Sequence, residues 1–495
     1  MANKDEKLTS VEITRPLFNN IKKEDRKKVL LLCDDIRMHS GIATMAREFV
    51  IGSAHRFNWI NLGAAINHPE IGKQLDLSED INKNVGIDDS SVTVIPNNGY
   101  GDPQMVRNLL KTHKPDAIFI FTDPRYWTWL FEIEREVRSK IPILWLNIWD
   151  DYPAPNYNED YYDSVDTLMA ISKQTLNINK LVLGNKADNK ILRYVPHGIN
   201  NEVFYPLPAE GEKAEEFSKF KSELFKGKDF KFVVFFNSRN IHRKRPGDTI
   251  LAFRHFCDLI GKDAAKECAL VMHTAPSDPN GTDLRAVKEA LTDPDYVNIY
   301  FSNEKLTPGQ MNLLYNVADL TVLLSSNEGW GLSLTESMLA GTMIAANVTG
   351  GMQDQMRFQN DNGDWIDFDS EFPSNHRGTY KEHGDWARPI FPSNISLAGS
   401  PSTPYIYDDR CSPEDAADAI KEVYDLGKEE RSKRGQKGRE WALTDEAKFT
   451  SKAMSNTVAD TIQETVDKFE PRPAFEIHKA ESIKPKYVNH KLLNY

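Results

Sequence analysis

Apolar residues along this chain fall in short runs of strand length, separated by helix-length stretches in which apolar positions recur every three or four residues. In the first half, KKVLLLC (27–33), FNWINLG (57–63), SVTVIP (91–96), DAIFIFT (116–122), PILWLNI (142–148), DTLMAIS (166–172) and ILRYVP (191–196) read as strands, with helices over 42–54, 102–112 and 126–139. In the second half FKFVVFFNS (230–238), ECALVMHT (267–274), VNIYFS (297–302), DLTVLLSS (319–326) and TMIAAN (342–347) repeat the pattern. Near-continuous apolar strands alternating with amphipathic helices predict parallel βαβ units. The fold class expected is therefore α/β, with two doubly wound Rossmann-like domains facing a central cleft. Open sheets of this kind bind ligands at the carboxyl ends of their strands, so the chemistry is expected in the strand-to-helix loops.

Breaks in the pattern set the boundaries. Residues 1–25 read as an N-terminal extension, 26–205 as the first domain, 206–229 as a charged, proline-bearing linker with a short solvated helix, and 230–445 as the second domain. Within the latter, 352–410 is rich in Gly, Pro, Ser, Asn and aromatics and too long for an ordinary loop, so it reads as a lid or an inserted subdomain. Helices follow at 413–426 and 428–442, then a longer one at 446–469 that stops before Pro471 and Pro473, and a tail at 470–495.

Composition narrows the class. A chain of 495 residues exceeds one ordinary core, and 40% hydrophobic with 27% charged residues fits a soluble globular protein. No apolar stretch reaches the ~18 residues of a membrane span, and MANKDEKLTSVEITRP lacks the apolar core of a signal peptide. A cytoplasmic location is expected. Cys33, Cys257, Cys268 and Cys411 form no C-x-x-C pair, which indicates neither a disulfide framework nor a zinc site. The net charge of −12 disfavours a general nucleic-acid binder, whose affinity rests on surplus Lys and Arg.

Candidate chemistry concentrates in SSNEGWGLSLTESMLAGTMIAANVTGG (325–351). Glu328 lies in the loop after a strand, and Glu336 lies within a helix expected at 332–340 with Gly341 closing it. Gly329 and Gly331 allow close backbone approach, and the amides of Trp330, Gly331 and Leu332 sit at the positive end of the helix dipole, a setting for a phosphate. An ionised Glu accepts two hydrogen bonds from a vicinal diol. Taken singly, each Glu also reads as an ordinary helix-terminus or solvated residue.

The E-x7-E spacing in EGWGLSLTE, followed by SMLAGTMIAANVTGG, resembles the signature of retaining GT-B glycosyltransferases, especially family 4. The resemblance implies that Glu328 meets the transferred sugar, that Glu336 meets the nucleotide ribose, and that Trp330, Gly331 and Leu332 present amides to sugar and diphosphate. In FFNSRNIHRKRP (235–246), Arg239 and Lys244 stand at the spacing of the family's Arg and Lys, which implies that they stabilise the departing β-phosphate. An ordinary basic loop, or a nucleic-acid patch with Arg243 and Arg245, is the other reading of this segment. Ser40-Gly41 resembles the family's glycine-rich turn beneath the donor phosphates. VPHGINNEVFYP (195–206) resembles its P-N-G-V-D segment, with His197 where Asn is usual and Asn200 where Asp is usual. His197 reads as part of a structural turn first and as a cleft residue second.

One departure stands out. Where family members often carry a His-Asp pair, this chain has Trp149-Asp150-Asp151, which implies a donor sugar lacking the 6-hydroxyl or held differently. Asp150 and Asp151 read as acceptor contacts or a base, or equally as a helix N-cap. Asp123 and Arg125 in TDPRYW join the same acceptor rim.

The resemblance implies transfer of a sugar from a nucleotide-diphosphate co-substrate, with retention and without a required cofactor or metal, to an acceptor expected to be a small molecule, glycan or lipid headgroup. Two rivals are a DNA-modifying sugar transferase, which needs a basic acceptor groove, and an inactive GT-B protein that binds a nucleotide sugar or a partner.

Overall fold

A computed structural model describes residues 21–65 and 69–475. Most of the expected N-terminal extension (residues 1–20) and of the tail (476–495) therefore lies outside the described residues.

Two sheets organise the chain. The first contains β1 (Lys27–Asp34), β2 (Phe57–Ala65), β3 (Leu75–Asp76), β4 (Val92–Asn98), β5 (Ala117–Phe121), β6 (Ile143–Asn147), β7 (Thr167–Ala170) and β8 (Ile191–Tyr194), in the order β3-β4-β2-β1-β5-β6-β7-β8. All neighbours run parallel except the short edge strand β3. The second contains β9 (Phe232–Asn237), β10 (Cys268–His273), β11 (Asn298–Ser302), β12 (Leu320–Leu323), β13 (Met343–Asn347) and β14 (Ala387–Ile390), all parallel, in the order β11-β10-β9-β12-β13-β14. Helices cover both faces, so the strands are apolar throughout: β5 and β6 are buried at every position, and β9 at all but Asn237.

The strand order reverses between β9 and β12, which lie side by side although about 80 residues apart in sequence. This crossover brings the loop after β9, bearing Arg239 to Arg245, against the loop after β12, bearing Glu328. The helix Ser451–Lys468 crosses back onto the first domain. Its Ser455 hydroxyl donates to the Glu48 carbonyl at 3.1 Å, and Thr465 meets Thr167 at 2.6 Å.

Three segments depart from the expected pattern. The helix expected over 126–139 is broken into a 3₁₀ turn, Pro124–Tyr126, and two short helices, Thr128–Glu132 and Glu134–Arg138. Trp127 and Ile133 leave helical geometry (ψ 9° and 12°) as the buried Trp127 and Leu130 turn into the core, and Arg138 is drawn inward to Asp166 (2.9 Å) and Glu134 (2.8 Å). The charged segment before β9 does form a helix, Glu212–Leu224, but Phe217, Phe220 and Leu224 pack partly on the core, so one face is not solvated. Within 352–410, β14 completes the second sheet and β15 (Asn394–Ser400) pairs with β16 (Thr403–Arg410) as an antiparallel hairpin. That hairpin reaches the first domain: the Tyr407 amide donates to the Tyr152 carbonyl at 2.6 Å, and the Tyr157 hydroxyl donates to the Tyr405 carbonyl at 3.0 Å.

The helix Leu332–Leu339, which starts at the candidate site, is held from behind by Gly427–Ala442. A Cβ on Gly435 would lie 1.9 Å from the Gly341 carbonyl oxygen. Gly435→Ala is therefore expected to destabilise the protein by about 2–3 kcal/mol through overpacking against backbone, read as a lowered urea midpoint with unchanged slope.

Candidate active site

Glu328 sits at the meeting of the two loops and is only 6% exposed. It pairs with the Lys244 ammonium, accepts from Arg243 Nη1 at 3.2 Å, and accepts from the Ser325 hydroxyl at 3.0 Å. Burial alone would raise its pKa, but the charges of Lys244 and Arg243 outweigh that and hold it at about 2. Lys244 is pushed the other way: burial lowers it, with Arg243 adding to the effect, while Glu328 opposes. The cluster is a fixed pair of cations against one carboxylate, dry enough for its charges to act strongly on a bound anion. A 3₁₀ turn at His242–Lys244, ending at Arg245 with φ 51°, aims Arg243 and Lys244 together toward Glu328.

Arg239 is placed elsewhere. It is exposed and paired with Asp278 at 2.9 Å, outside the Glu328 cluster. Arg243, which the sequence marks only as one of several basic residues, takes the place beside Lys244. The signal available was its adjacency to Lys244; Ser325 and Tyr315 carried none.

Glu336, half-buried one turn into Leu332–Leu339, accepts a hydrogen bond from the Tyr315 hydroxyl, which in turn accepts from Asn237 Nδ2 at 2.8 Å. Burial raises its pKa to about 7, and the Tyr315 bond only partly opposes this. Gly331, with φ 90°, caps the start of that helix, where a Cβ would press on Met352 at 3.2 Å. Trp330 turns inward: its indole NH donates to Thr335 Oγ1 at 3.1 Å and its ring packs on Phe449 and His197. A Cβ on Gly41 would meet Leu332 Cδ1 at 3.5 Å, so the glycine turn of the first domain faces the helix start of the second.

The opposite wall divides in two. Asp150 is half-buried, 3.8 Å from Arg243, and raised in pKa by burial, with the charge of Glu328 adding to the effect. It faces the cluster. Asp151 turns away from it and is fully buried, accepting from the Tyr152 amide and Gln174 Nε2 (both 2.8 Å) and from Thr349 Oγ1 (3.1 Å). No helix begins at either residue; the next helical element is the 3₁₀ turn Asn156–Asn158, so the N-cap alternative does not arise. Trp149, 6% exposed, donates its indole NH to the Asp151 carbonyl at 2.7 Å. It shapes the wall from within. His197 is buried between Phe121 and Trp330, and burial lowers it to about 3, so it is a neutral imidazole. Asp123 and Arg125 pair with each other at 2.8 Å on the outer rim, where Arg125 also reaches Ser402 of the hairpin at 3.4 Å.

The comparisons agree with this fold. Two doubly wound domains and a helix returning to the first define the GT-B architecture of glycosyltransferases. Residues 215–371 match the family model for glycosyl transferases group 1, and the loops that bear Arg243, Lys244, Glu328 and Glu336 lie within the matched residues. Among solved structures, a glycosyltransferase from Rickettsia africae superposes with a TM-score of 0.60 at 15% identity, covering 90% of this chain and 100% of its own. Anabaena HepE in complex with UDP and glucose gives 0.58 at 13% identity over 89% of this chain and 100% of its own. Sucrose-phosphate synthase from Thermosynechococcus elongatus gives 0.59 at 14% identity over 89% and 100%. No curated protein matches the sequence.

Proposed function

We propose that this protein is a retaining, family 4-like glycosyltransferase that moves a sugar from a nucleotide-diphosphate donor to an acceptor in the interdomain cleft. The observation that carries this reading is the Lys244–Glu328–Arg243 cluster beside the start of Leu332–Leu339. As the sugar–phosphate bond breaks, negative charge grows on the β-phosphate, and Lys244, Arg243 and the helix N-terminus stabilise it without a required metal. Arg239 joins them if its side chain leaves Asp278. Glu328 accepts from the sugar hydroxyls, and Glu336 from the ribose. Because the leaving phosphate takes the acceptor's proton on the same face, no protein base is required; Asp150 then orients the acceptor. Trp149 replaces a polar contact to the sugar with an apolar wall, which favours a donor without, or indifferent to, a 6-hydroxyl. Closure of the two domains excludes water.

UDP is the first probe, since the Anabaena HepE structure holds it. A thermal-shift screen of UDP, GDP, ADP and their sugars at ~100-fold excess over Kd is expected to show one base raising the melting temperature, by the equivalent of about 2.7 kcal/mol. No shift with any nucleotide would sink the reading. The acceptor is proposed to be a small molecule, glycan or lipid headgroup, in a cytoplasmic setting. No helix among the described residues is long and apolar enough to cross a membrane.

A further inference from the structure

A second cavity, of about 530 Å³, opens beside the cleft where residues 376–381 meet the base of the hairpin. It is lined by His376, Arg377, Lys381, Ser393, Asn394 and Tyr407 among others. Its cations, Arg377 and Lys381, make no ion pair within 4 Å among the described residues, while the Asp409 carboxylate lies near enough for its charge to act on His376 and Arg377. Arg377 makes no ion pair among the described residues, whereas most arginines of this chain do. Lys381 is held over the Phe391 ring at 4.1 Å, a contact that orients the ammonium without neutralising it. His376 forms the inner wall, 8% exposed, with a buried Nδ1 that has no hydrogen-bond partner. A buried donor or acceptor left unpaired is costly, so a partner from a ligand is favoured there.

The cavity is coupled to the reacting loop. The Tyr407 carbonyl accepts from Asn327 Nδ2 at 3.1 Å, and Asn327 directly precedes Glu328. The Tyr407 amide donates to Tyr152 on the first domain. The same strand carries the buried Asp409; burial raises its carboxyl and that of Asp151, the charge of Asp409 raises Asp151 further, and the charges of His376 and Arg377 act to lower Asp409.

We infer that this cavity is an oxyanion site that takes a phosphomonoester, with Arg377 and Lys381 supplying charge-assisted hydrogen bonds and His376 Nδ1 a further one. Calling the occupant part of the acceptor rests on the glycosyltransferase reading above; the anion site itself does not. It is separate from the donor-phosphate place at Lys244 and Arg243, on the other side of the Asn327–Tyr407 contact.

The test is calorimetric titration of the full chain at low salt with inorganic phosphate, with glucose 6-phosphate and with glucose, each repeated with UDP present. Expected is binding of both phosphates, none of glucose, no displacement by UDP, and at least an about tenfold loss of phosphate affinity in Arg377→Ala/Lys381→Ala with UDP binding intact. Both positions are exposed, so the double variant retains its fold. Phosphate binding that survives the double variant or is displaced by UDP overturns the inference, because the anion then sits at Lys244. Absence of phosphate binding with UDP binding intact overturns it too and leaves the glycosyltransferase reading standing. Absence of binding by UDP, GDP and ADP alike overturns that reading and leaves the anion site.

Discussion

Replacing Lys244 by Met is expected to lower donor turnover by about two to three orders of magnitude, the effect of removing one preorganised charge from a developing oxyanion. Met keeps the apolar stem and fills the same space, so the loss reports charge. The substitution also leaves Glu328 buried with Arg243 and Ser325 as its remaining partners. Breaking a buried pair on one side costs about 3–5 kcal/mol, and the two remaining partners reduce that toward the lower end. Lys244→Met/Glu328→Gln removes the orphaned carboxylate and is expected to recover most of the stability and none of the turnover. Urea denaturation and donor hydrolysis on the same three proteins separate the two effects. A single variant with turnover near wild type would show that Lys244 serves only to neutralise Glu328.

The pair also has a pH signature. Glu328 is held at about 2, below its ordinary value near 4.5. In the native state it binds fewer protons than in the unfolded chain, so its contribution is complete above pH ~4.5 and disappears as pH falls through 2. Acid sensitivity in that window should shrink in Glu328→Gln.

What was legible in the sequence was local. Glu328, Gly331 and Glu336 lie in one strand–turn–helix passage, and nine residues suffice to place two carboxylates around a helix start. Whether Arg239 or Arg243 stands beside Lys244 depends instead on a 3₁₀ turn and a left-handed Arg245, neither of which has a compositional mark. The roles of Asp150 and Asp151 are divided by partners far away in sequence: Arg243 draws one outward, while Gln174 and Thr349 hold the other inside. Adjacent identical residues offer no means of telling these apart. The 352–410 segment stayed opaque because β14 is four residues long and contains Pro389, which an edge strand tolerates but a periodicity search rejects.

The second large effect concerns Glu336. If its carboxylate accepts from the ribose diol, nucleotide affinity must fall as the group takes up a proton, and its pKa of about 7 places that change within the working range. Affinity for UDP is expected to rise by about tenfold between pH 6 and 8. The terminal phosphate of UDP also titrates near ~6, so the diagnostic quantity is the difference between wild type and Glu336→Gln: the variant should lose about tenfold in affinity at pH 8 and little at pH 6. The free protein should show the opposite trend in stability. Because the folded pKa lies above the ordinary 4.5, the native state binds more protons between pH 4.5 and 7, and unfolding free energy declines as pH rises through that window. For a half-buried group the decline amounts to about 2 kcal/mol, absent in Glu336→Gln. The site thus loses stability over the same pH range in which it gains affinity, as expected of a carboxylate kept partly dry until a ribose supplies its hydrogen bonds. Parallel pH profiles of binding for the two proteins would remove Glu336 from the nucleotide site, and parallel profiles of urea midpoint would show that burial does not raise its pKa.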